Sequence, residues 1–340
     1  MSKTINVCVV GATGAVGETL LSILAERDFP VGEVYALASS RSKGKKIEFK
    51  GRYLKVEDLA EFDFSKVRLG LFSAGAAVSK IHAPRAVECG CVVIDNTSQF
   101  RYDDDIPLVV PEVNPEALDN FEARGIIANP NCSTIQMVVA LKPIYDAVGI
   151  ERINVCTYQA VSGAGRQAIE ELSEQTLAIF NSREIRSRVF AKQIAFNVLP
   201  HIDVFLDNGY TKEEMKMVWE TQKILGDDSI RVNPTTARVP VFYGHSEAVH
   251  IETKDKITAE QARDLLSRAP GVCLVDERKP GGYPTAATEA AGQDPVYVGR
   301  IRDDISHPRG LNLWVVSDNI RKGAALNSIQ IAERLVKKFI

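Results

Sequence analysis

The sequence predicts an α/β protein whose N-terminal part is built around a parallel sheet. Short apolar runs rich in β-branched residues alternate with stretches that carry apolar residues at helical spacing, and this alternation is typical of parallel sheets with crossover helices. The first predicted strand runs into a glycine-rich turn that leads directly into a helix. A chain of 340 residues, with 45% hydrophobic and 25% charged residues, has room for two ordinary domains with substantial cores.

The composition limits the possible partners and the compartment. The net charge is -3 and the pI is about 6.0, so the chain lacks the basic character that nucleic-acid binding needs. No apolar run is long enough to span a bilayer. The six cysteines are scattered without the spacing of a zinc site. We therefore expect a cytoplasmic protein with free thiols, no metal, no membrane span and no nucleic-acid partner.

A glycine-rich turn near the N-terminus indicates a nucleotide site. Ile5–Val10 is predicted as a strand and Glu18–Arg27 as a helix, with Gly11, Gly14 and Gly17 between them. This spacing is a variant of the dinucleotide fingerprint, in which glycines allow a tight turn and a close approach of the backbone to a pyrophosphate. The pattern predicts nucleotide binding at the helix N-terminus. The alternative is a tight strand–helix turn that binds nothing.

The residues after the second strand favour NADP over NAD. Glu33–Ala38 is predicted as this strand, and an NAD site commonly places an acidic residue near its end to bind the ribose diol. Here the strand is followed by Ser39-Ser40-Arg41-Ser42-Lys43. Hydroxyls and a guanidinium suit a 2′-phosphate better than a diol. The alternative is a solvated basic loop.

Three more strands complete the predicted sheet, at Arg68–Phe72, Cys91–Asp95 and Ile126–Ala128. Ligands of such sheets bind at the carboxyl ends of the strands. Arg101 lies just beyond one of these ends and is a candidate for holding an anionic substrate. The alternative is a surface arginine paired with one of the acidic residues at 103–105.

Cys132 is the strongest candidate nucleophile. It lies in the loop Asn129–Thr134, and the apolar run Ile135–Val148 is predicted as a helix. The cysteine therefore lies at or just before a helix N-terminus, where partial positive charge and free N–H groups favour the thiolate. The alternative is a buried cysteine that packs as a small hydrophobic residue.

A second region with further polar candidates begins near this cysteine. Gln159 follows a predicted strand at Arg152–Tyr158 and precedes a glycine loop, a position from which it can orient a carbonyl group. Glu213 and Lys216 share a helix face by their i,i+3 spacing. The alternatives are a structural glutamine and an ordinary surface ion pair.

Arg238 and His245 are seven residues apart and would point to opposite faces of an unbroken strand. Pro240 and Gly244 make an unbroken strand unfavourable, so the two side chains can still converge. The alternative for His245 is a structural role.

The C-terminal helix is predicted to return to the first domain. It runs from about Lys322 to Lys338 and carries a broad apolar stripe. The first domain then comprises residues 1–130 and 317–340, and the second comprises residues 131–316.

Together these motifs resemble the aspartate-β-semialdehyde dehydrogenase family over essentially the whole chain. The resemblance rests on Gly11–Gly17, Asn129–Thr134, Gln159 with Ser162–Gly165, Glu213 with Lys216, and Arg238–His245. It implies an N-terminal Rossmann-type NADP-binding domain, an α+β catalytic and dimerisation domain, and a homodimer.

The resemblance also implies roles for single residues. Cys132 is expected to be the nucleophile and His245 the acid/base. Gln159, Arg238 and Glu213 are expected to hold the substrate, and Gln159 also to serve catalysis. Glu214 is an alternative to Glu213, because a shift of one residue along the helix would place it in the same role. The expected phosphate ligands are Arg101, Lys216 and Asn131. The expected NADP contacts are Gly11, Thr13, Gly14, Ala15, Val16, Gly17, Arg41, Ser42, Ser162, Gly163 and Asn319.

The implied reaction is the NADPH-dependent conversion of L-4-aspartyl phosphate to L-aspartate 4-semialdehyde and phosphate through a Cys132 thioester. This reaction serves lysine, threonine, methionine and diaminopimelate synthesis. Guanidinium suits the substrate carboxylate, and two cations suit the leaving phosphate. The alternatives are the related N-acetyl-glutamyl-phosphate reductase and, outside the enzymes, a dinucleotide-sensing module. Glyceraldehyde-3-phosphate dehydrogenase is a more distant alternative, and the absence of an acidic residue after the second strand argues against its NAD preference.

Overall fold

Two six-stranded sheets organise the chain, and each belongs to a separate unit. The computed structural model describes residues 4–339. The first unit comprises the residues up to Asn131 together with those from Ala324 onward, and the second unit comprises Cys132–Gly323. No helix within the described range has both the length and the apolar character needed to cross a bilayer.

The strands before Cys132 and the strands after it belong to different sheets. The strands are β1 (Ile5–Val10), β2 (Val31–Ala38), β3 (Lys46–Phe49), β4 (Arg52–Lys55), β5 (Glu57–Asp58), β6 (Leu69–Phe72), β7 (Val92–Asp95), β8 (Ile126–Ala128), β9 (Ile150–Gln159), β10 (Arg231–Arg238), β11 (His245–Thr253), β12 (Val272–Leu274), β13 (Val296–Asp303) and β14 (Gly310–Ser317). The helices are α1 (Ala15–Glu26), α2 (Ala76–Glu88), α3 (Cys132–Val148), α4 (Arg166–Phe180), α5 (Lys212–Leu225), α6 (Ala259–Ser267) and α7 (Leu326–Phe339).

The sheet of the first unit is parallel, with strand order β5-β2-β1-β6-β7-β8. The order reverses at β1, because β2 lies on one side of it and β6 on the other. Val10, the last residue of β1, lies beside Leu37 on one side and Phe72 on the other. The strand ends therefore open a crevice at the glycine turn, which is where such sheets bind dinucleotides.

The core of the first unit includes its last helix. α7 packs against α1 and β7, and its buried apolar side chains join those of β1 and α1 in one cluster. α7 is amphipathic, because its apolar residues recur three and four positions apart and therefore share one helix face. The N-terminal sheet thus depends on residues from the opposite end of the chain.

The sheet of the second unit is mixed, with strand order β10-β9-β11-β14-β13-β12. β9 pairs with β10 in parallel and with β11 in antiparallel orientation, and β14 pairs with β11 in antiparallel orientation. α3, α5 and α6 pack against this sheet and α3 contacts both other helices. Since side chains alternate along a strand, every second residue of β9, β10 and β11 faces this helical layer.

The predicted fold class is confirmed: an N-terminal parallel α/β sheet, a second α+β unit and a C-terminal helix that packs with the first unit. The unit boundaries differ from the predicted ones. The second unit ends at Gly323, seven residues later than predicted, because the segment that follows β14 hydrogen-bonds within that unit. Asn131, which was placed in the second domain, clusters with the first unit.

Candidate active site

Cys132 is the first residue of α3 and is half-buried. The helix begins three residues earlier than predicted, so the thiol lies within the first turn, where backbone N–H groups have no helical acceptor. A Cβ added at Gly323 would lie 2.7 Å from the Cβ of Cys132, so the backbone closes over the cysteine at a position that requires glycine. The cysteine therefore packs closely against Gly323 at a helix N-terminus, a position at which the helix dipole favours a thiolate.

Arg238 and Gln159 are brought together by the sheet register, which pairs them at the ends of β10 and β9. Nη1 of Arg238 donates to Oε1 of Gln159 at 3.4 Å and to the carbonyl oxygen of Ala160 at 2.8 Å. β10 ends at Arg238 and β11 begins at His245, so the chain turns between them. A Cβ added at Gly163 would lie 2.8 Å from Nη1 of Arg238 and 3.2 Å from Nε2 of His245. The two side chains therefore converge.

His245 presents its Nε2 nitrogen to the site. Nδ1 accepts a hydrogen bond of 3.0 Å from the backbone N–H of Ala160, so the neutral ring carries its proton on Nε2. Nε2 is buried without a hydrogen-bond partner among the described residues. Burial, followed by repulsion from Arg238, lowers the pKa of His245 to about 3, while Glu213 acts in the opposite direction. The ring is a neutral hydrogen-bond donor at physiological pH.

Glu213 and Lys216 form a network with Gln159. Nε2 of Gln159 donates to Oε1 of Glu213 at 3.3 Å, and Nζ of Lys216 donates to Oε2 of Glu213 at 3.0 Å. Lys216 also donates to Asp203 at 2.8 Å. Burial favours the neutral amine, but the two carboxylates outweigh it and raise the pKa of Lys216. Lys216 is therefore a firmly charged ammonium at the site.

Glu214, which offered an alternative to Glu213 in the sequence, has a structural position instead. Its Oε2 accepts from the backbone N–H of Thr211, and the Thr211 hydroxyl accepts from the Glu214 N–H, which together form a capping box. Its Oε1 accepts from the N–H of Thr236. Both carboxylate oxygens of Glu214 thus accept hydrogen bonds from backbone N–H groups.

The charged groups around the cysteine are electrostatically coupled. Burial lowers the pKa of the Arg238 guanidinium, and the negative charges of Glu213 and Cys132 oppose that shift. A cavity of about 590 Å³ adjoins Arg238, with Lys192, His201 and Asp203 in its lining. The guanidinium of Arg238 at this cavity suits a small anionic ligand.

Asn319 fixes the loops on which His245 and Gly163 lie. Its Oδ1 accepts from the N–H of Gly244 at 2.9 Å, and its Nδ2 donates to Oγ of Ser162 at 3.0 Å. Ser162, Gly163 and Asn319 were expected to contact NADP, and the structure places all three in the second unit. Ser162 and Asn319 contact each other there.

The glycine turn of the first unit fits a dinucleotide. Gly11 has φ +84, and a Cβ there would lie 3.0 Å from the backbone of Ser73 and Ala74. A Cβ at Gly17 would lie 2.2 Å from the carbonyl oxygen of Gly11. α1 begins directly after Gly14, with no side-chain cap, so the first N–H groups of the helix remain available for a phosphate. The cradle requires glycine at these positions.

Arg41 and Ser42 lie in a short 3-10 helix directly after β2, and Arg41 is exposed. The neighbouring Lys43 pairs with Glu61 at 2.5 Å. Arg41 has no partner in the part of the chain that the structure describes. Its guanidinium therefore remains available to an anion.

Arg101 and Asn131, two of the expected phosphate ligands, belong to the first unit, whereas Lys216 belongs to the second. Arg101 is only 6% exposed, so it is not the surface arginine of the alternative interpretation. Its Nη2 donates to the carbonyl oxygen of Asn96 at 2.9 Å, which fixes the guanidinium just beyond the end of β7.

Asp203 and Gly323 were missed by the sequence analysis. Asp203 lies in a segment without periodicity, and Gly323 lies in a stretch assigned to the last helix. Neither position carries a local sequence signal. Within residues 4–339 no group of three His, Cys, Asp or Glu side chains could hold a metal ion.

Comparison with known proteins gives one consistent result. The family model "Semialdehyde dehydrogenase, NAD binding domain" matches residues 6–121, and "Semialdehyde dehydrogenase, dimerisation domain" matches residues 141–322. The aspartate-semialdehyde dehydrogenase of Legionella pneumophila is 65% identical over 340 residues, which is 100% of this chain and 98% of the relative.

Solved structures agree. A crystal structure of aspartate semialdehyde dehydrogenase II from Vibrio cholerae, complexed with ASA, matches with a TM-score of 0.98 and 60% identity over 100% of both chains. The aspartate semialdehyde dehydrogenase of Candida albicans, solved with NADP, matches with a TM-score of 0.76 and 26% identity over 98% of both chains. This chain therefore belongs to the aspartate-semialdehyde dehydrogenase family.

Proposed function

We propose that the chain catalyses the NADPH-dependent reductive dephosphorylation of L-4-aspartyl phosphate to L-aspartate 4-semialdehyde, and the reverse, phosphate-dependent oxidation. The observation that carries this proposal is the half-buried Cys132 at a helix N-terminus, grouped with Arg238, Gln159 and a neutral His245. The ASA complex of the Vibrio cholerae relative supports the substrate.

Cys132 performs the covalent step. Its thiolate attacks the acyl carbon of the aspartyl phosphate, the carbon–sulfur bond forms, and the bond to the phosphate oxygen breaks to give a thioester. The N–H groups in the first turn of α3 are placed to stabilise the oxyanion of this step.

His245 acts as a hydrogen-bond donor through Nε2. The alkoxide of the thiohemiacetal collapses to aldehyde and thiolate without first being protonated. The chemistry therefore needs a donor to stabilise the alkoxide, and a neutral imidazole supplies it. Of the acid/base role that the family resemblance implies, we therefore keep hydrogen-bond donation and not proton removal. A ring whose Nδ1 accepts from Ala160 cannot remove a proton through Nε2.

The substrate is held by the polar network. The guanidinium of Arg238 binds the substrate carboxylate, with Gln159 and Glu213 beside it. Lys216, whose charge is secured by Glu213 and Asp203, binds the phosphate group. Arg101 and Asn131 are further phosphate ligands that the family resemblance implies.

NADPH, when bound, supplies the hydride that reduces the thioester. The glycine turn from Gly11 to Gly17, including Thr13, Ala15 and Val16, holds its pyrophosphate, and Arg41 with Ser42 holds the 2′-phosphate. Ser162, Gly163 and Asn319 are the contacts proposed from the second unit. NADP in the Candida albicans relative supports this choice of cofactor.

The enzyme acts as a homodimer in the cytoplasm, where its product enters lysine, threonine, methionine and diaminopimelate synthesis. The match to a dimerisation domain supports the dimer. A reducing compartment suits the chain because the cysteines among the described residues are free thiols and Cys132 must stay reduced to react.

The test is the reduction of NADP by L-aspartate 4-semialdehyde with and without inorganic phosphate, followed by the absorbance of NADPH. We expect a rate that requires phosphate and that falls at least about a thousandfold in Cys132→Ser, because oxygen is the poorer nucleophile here. Cys156→Ser, at a half-buried cysteine on β9, is the matched control and should keep the wild-type rate.

The same assay separates the alternatives. A faster rate with N-acetyl-glutamate semialdehyde than with aspartate semialdehyde would overturn the proposed substrate. NADPH binding without turnover of either aldehyde, together with no uniquely reactive thiol at neutral pH, would favour the dinucleotide-sensing module. Parallel assays with NAD measure the cofactor preference.

A further inference from the structure

Glu247 is a buried carboxyl group that the mechanism above does not use. It lies two residues after His245 on β11, so both side chains face the same side of the sheet. The residue is 0% exposed, and no hydrogen bond of good geometry reaches either carboxyl oxygen from the described residues, although the side chain of Gln136 lies close enough to influence its pKa. A buried polar group without a partner is costly, so this arrangement requires an explanation.

Gln136 lies between Glu247 and the catalytic residues. It is four residues after Cys132 on α3 and therefore lies on the same face of that helix. Its Nε2 donates to the backbone carbonyl oxygen of His245 at 3.4 Å. Its Oε1 is buried and has no hydrogen-bond partner in the described part of the chain. The amide thus connects the helix of the nucleophile to the strand of the donor histidine.

We propose that Glu247 is kept as a neutral carboxylic acid that donates to Oε1 of Gln136, and that this pair positions the main chain of His245 against α3. One protonated carboxyl group supplies the donor that Oε1 lacks. The second N–H of the Gln136 amide then remains for the carbonyl oxygen of the acid. Glu247 is a positioning residue, and its role rests on the proposed function, in which His245 serves as the donor.

The surroundings of Glu247 favour the neutral form. Its cross-strand neighbours are Thr157 on β9 and Val315 on β14, neither of which carries a charge. Burial raises the pKa of Glu247 well above its ordinary value, and the side chain of Gln136 only partly opposes this shift. The elements around this layer carry several charged and titratable groups, among them Cys132, Glu213, Lys216, Glu220, Arg238 and His245. The causes of the shift include no charge from any of them.

The experiment compares Glu247→Gln, Glu247→Leu and Gln136→Leu by kcat, KM and NADPH affinity. We expect Glu247→Gln to stay within about threefold of the wild-type kcat, because its N–H replaces the acid O–H. Glu247→Leu and Gln136→Leu should lose about tenfold to a hundredfold in kcat with KM and NADPH affinity changed less than about threefold, since a misplaced donor affects the transition state. The double variant should lose no more than either single variant.

A pH series adds a readout that a purely structural role would not affect. Ionisation of Glu247 in alkaline solution would remove the donor, so the ratio of wild-type to Glu247→Gln kcat should fall as the pH rises towards the raised pKa. Glu252→Gln, on the opposite face of the same strand, is the matched control and should follow the wild type. Equal kcat in Glu247→Gln and Glu247→Leu would overturn the proposal, as would a large loss in Glu247→Gln.

Infrared spectroscopy tests the protonation of Glu247 directly. It needs neither the leucine variants, which can misfold, nor a known substrate. The wild type should show the carbonyl stretch of a protonated carboxyl group at pH 8 that is missing from Glu247→Gln. Absence of this band would overturn the neutral Glu247 even in an active enzyme. Absence of turnover with aspartate semialdehyde in the wild type would instead contradict the proposed function and leave the band unaffected.

Discussion

At the scale of single residues, the proton on His245 decides the mechanism. The ring lies between the N–H of Ala160 on one side and the site on the other, and an N–H group can only donate. A second proton on Nδ1 would face that donor, which agrees with a pKa of about 3. The sequence predicted that Arg238 and His245 can converge, because Pro240 and Gly244 break the strand. It did not predict the tautomer, which depends on the backbone of Ala160, 85 residues earlier in the chain.

We predict that kcat of the wild type shows no titration of His245 between pH 5 and 8. The pKa of His245 is about 3 in the folded state and 6.5 ordinarily. Between these pH values the unfolded state therefore binds a proton on this ring and the folded state does not. Stability from this group is complete above pH 6.5 and is lost as the pH falls towards 3. At pH 5 the loss is about 2 kcal/mol, from roughly 1.4 kcal/mol per pKa unit.

Denaturant unfolding of the wild type and His245→Gln at pH 7.5 and pH 5 measures this loss. Glutamine does not titrate, so the free-energy difference between the two proteins should change by about 2 kcal/mol between the two pH values. An inflection of kcat near pH 6.5 that disappears in His245→Gln would show that the ring titrates during turnover, contrary to the donor role.

At the scale of elements, α4 holds one wall of the cavity beside Arg238. Glu171 and Gln175 are one turn apart and both face a segment that has no regular structure. The carboxylate of Glu171 accepts from the N–H groups of Arg188 at 2.8 Å and Val189 at 2.5 Å. Oε1 of Gln175 accepts from Ile194 at 2.9 Å. These buried side chains satisfy backbone donors that would otherwise have no partner.

We predict that Glu171→Gln lowers the free energy of unfolding by about 2 kcal/mol, because hydrogen bonds to a buried carboxylate contribute about 1.5–3 kcal/mol. The segment from 188 to 195 should also become more sensitive to protease, and KM for the aldehyde should rise because the cavity wall loosens. Glu170→Gln, on the adjacent and exposed residue, is the matched control. It should change stability by less than about 0.5 kcal/mol. Equal effects of the two substitutions would show that α4 does not hold the segment.

The sequence was informative for elements with strong periodicity and uninformative for small ones. The glycine turn, β7, α3 and α4 follow from apolar runs and turn residues. The pair β3 and β4 and the two-residue β5 were missed because each has at most four residues, too few for a periodic pattern to stand out, even though Lys46–Phe49 does alternate. α6, β12 and β13 were also missed. β13 carries a register shift near Arg300, which interrupts the alternation that identifies a strand.

At the scale of the whole molecule, the chain closes its first unit with its last helix. Asn327 donates to the carbonyl oxygen of Val109 at 3.0 Å and to Oδ1 of Asn129 at 2.8 Å. Glu333 pairs with Arg27 at 2.6 Å. The sequence predicted this return from the apolar stripe alone, but the exact boundary depends on hydrogen bonds made by Asn319, which no periodicity reveals.

We predict that Leu335→Ala lowers the free energy of unfolding of the first unit by about 3 kcal/mol, within the 2–5 kcal/mol typical of buried leucine truncations. Leu335 is 0% exposed in the core cluster of that unit, whereas the adjacent Arg334 is exposed. Arg334→Ala is therefore the matched control and should change stability by less than about 0.5 kcal/mol. Thermal unfolding with and without NADPH measures both variants, and the cofactor should raise the midpoint in each, because it binds the folded unit. Equal midpoints for Leu335→Ala and Arg334→Ala would mean that the N-terminal sheet keeps its stability without the packing of α7, and that the chain does not need its C-terminal return to complete the nucleotide-binding unit.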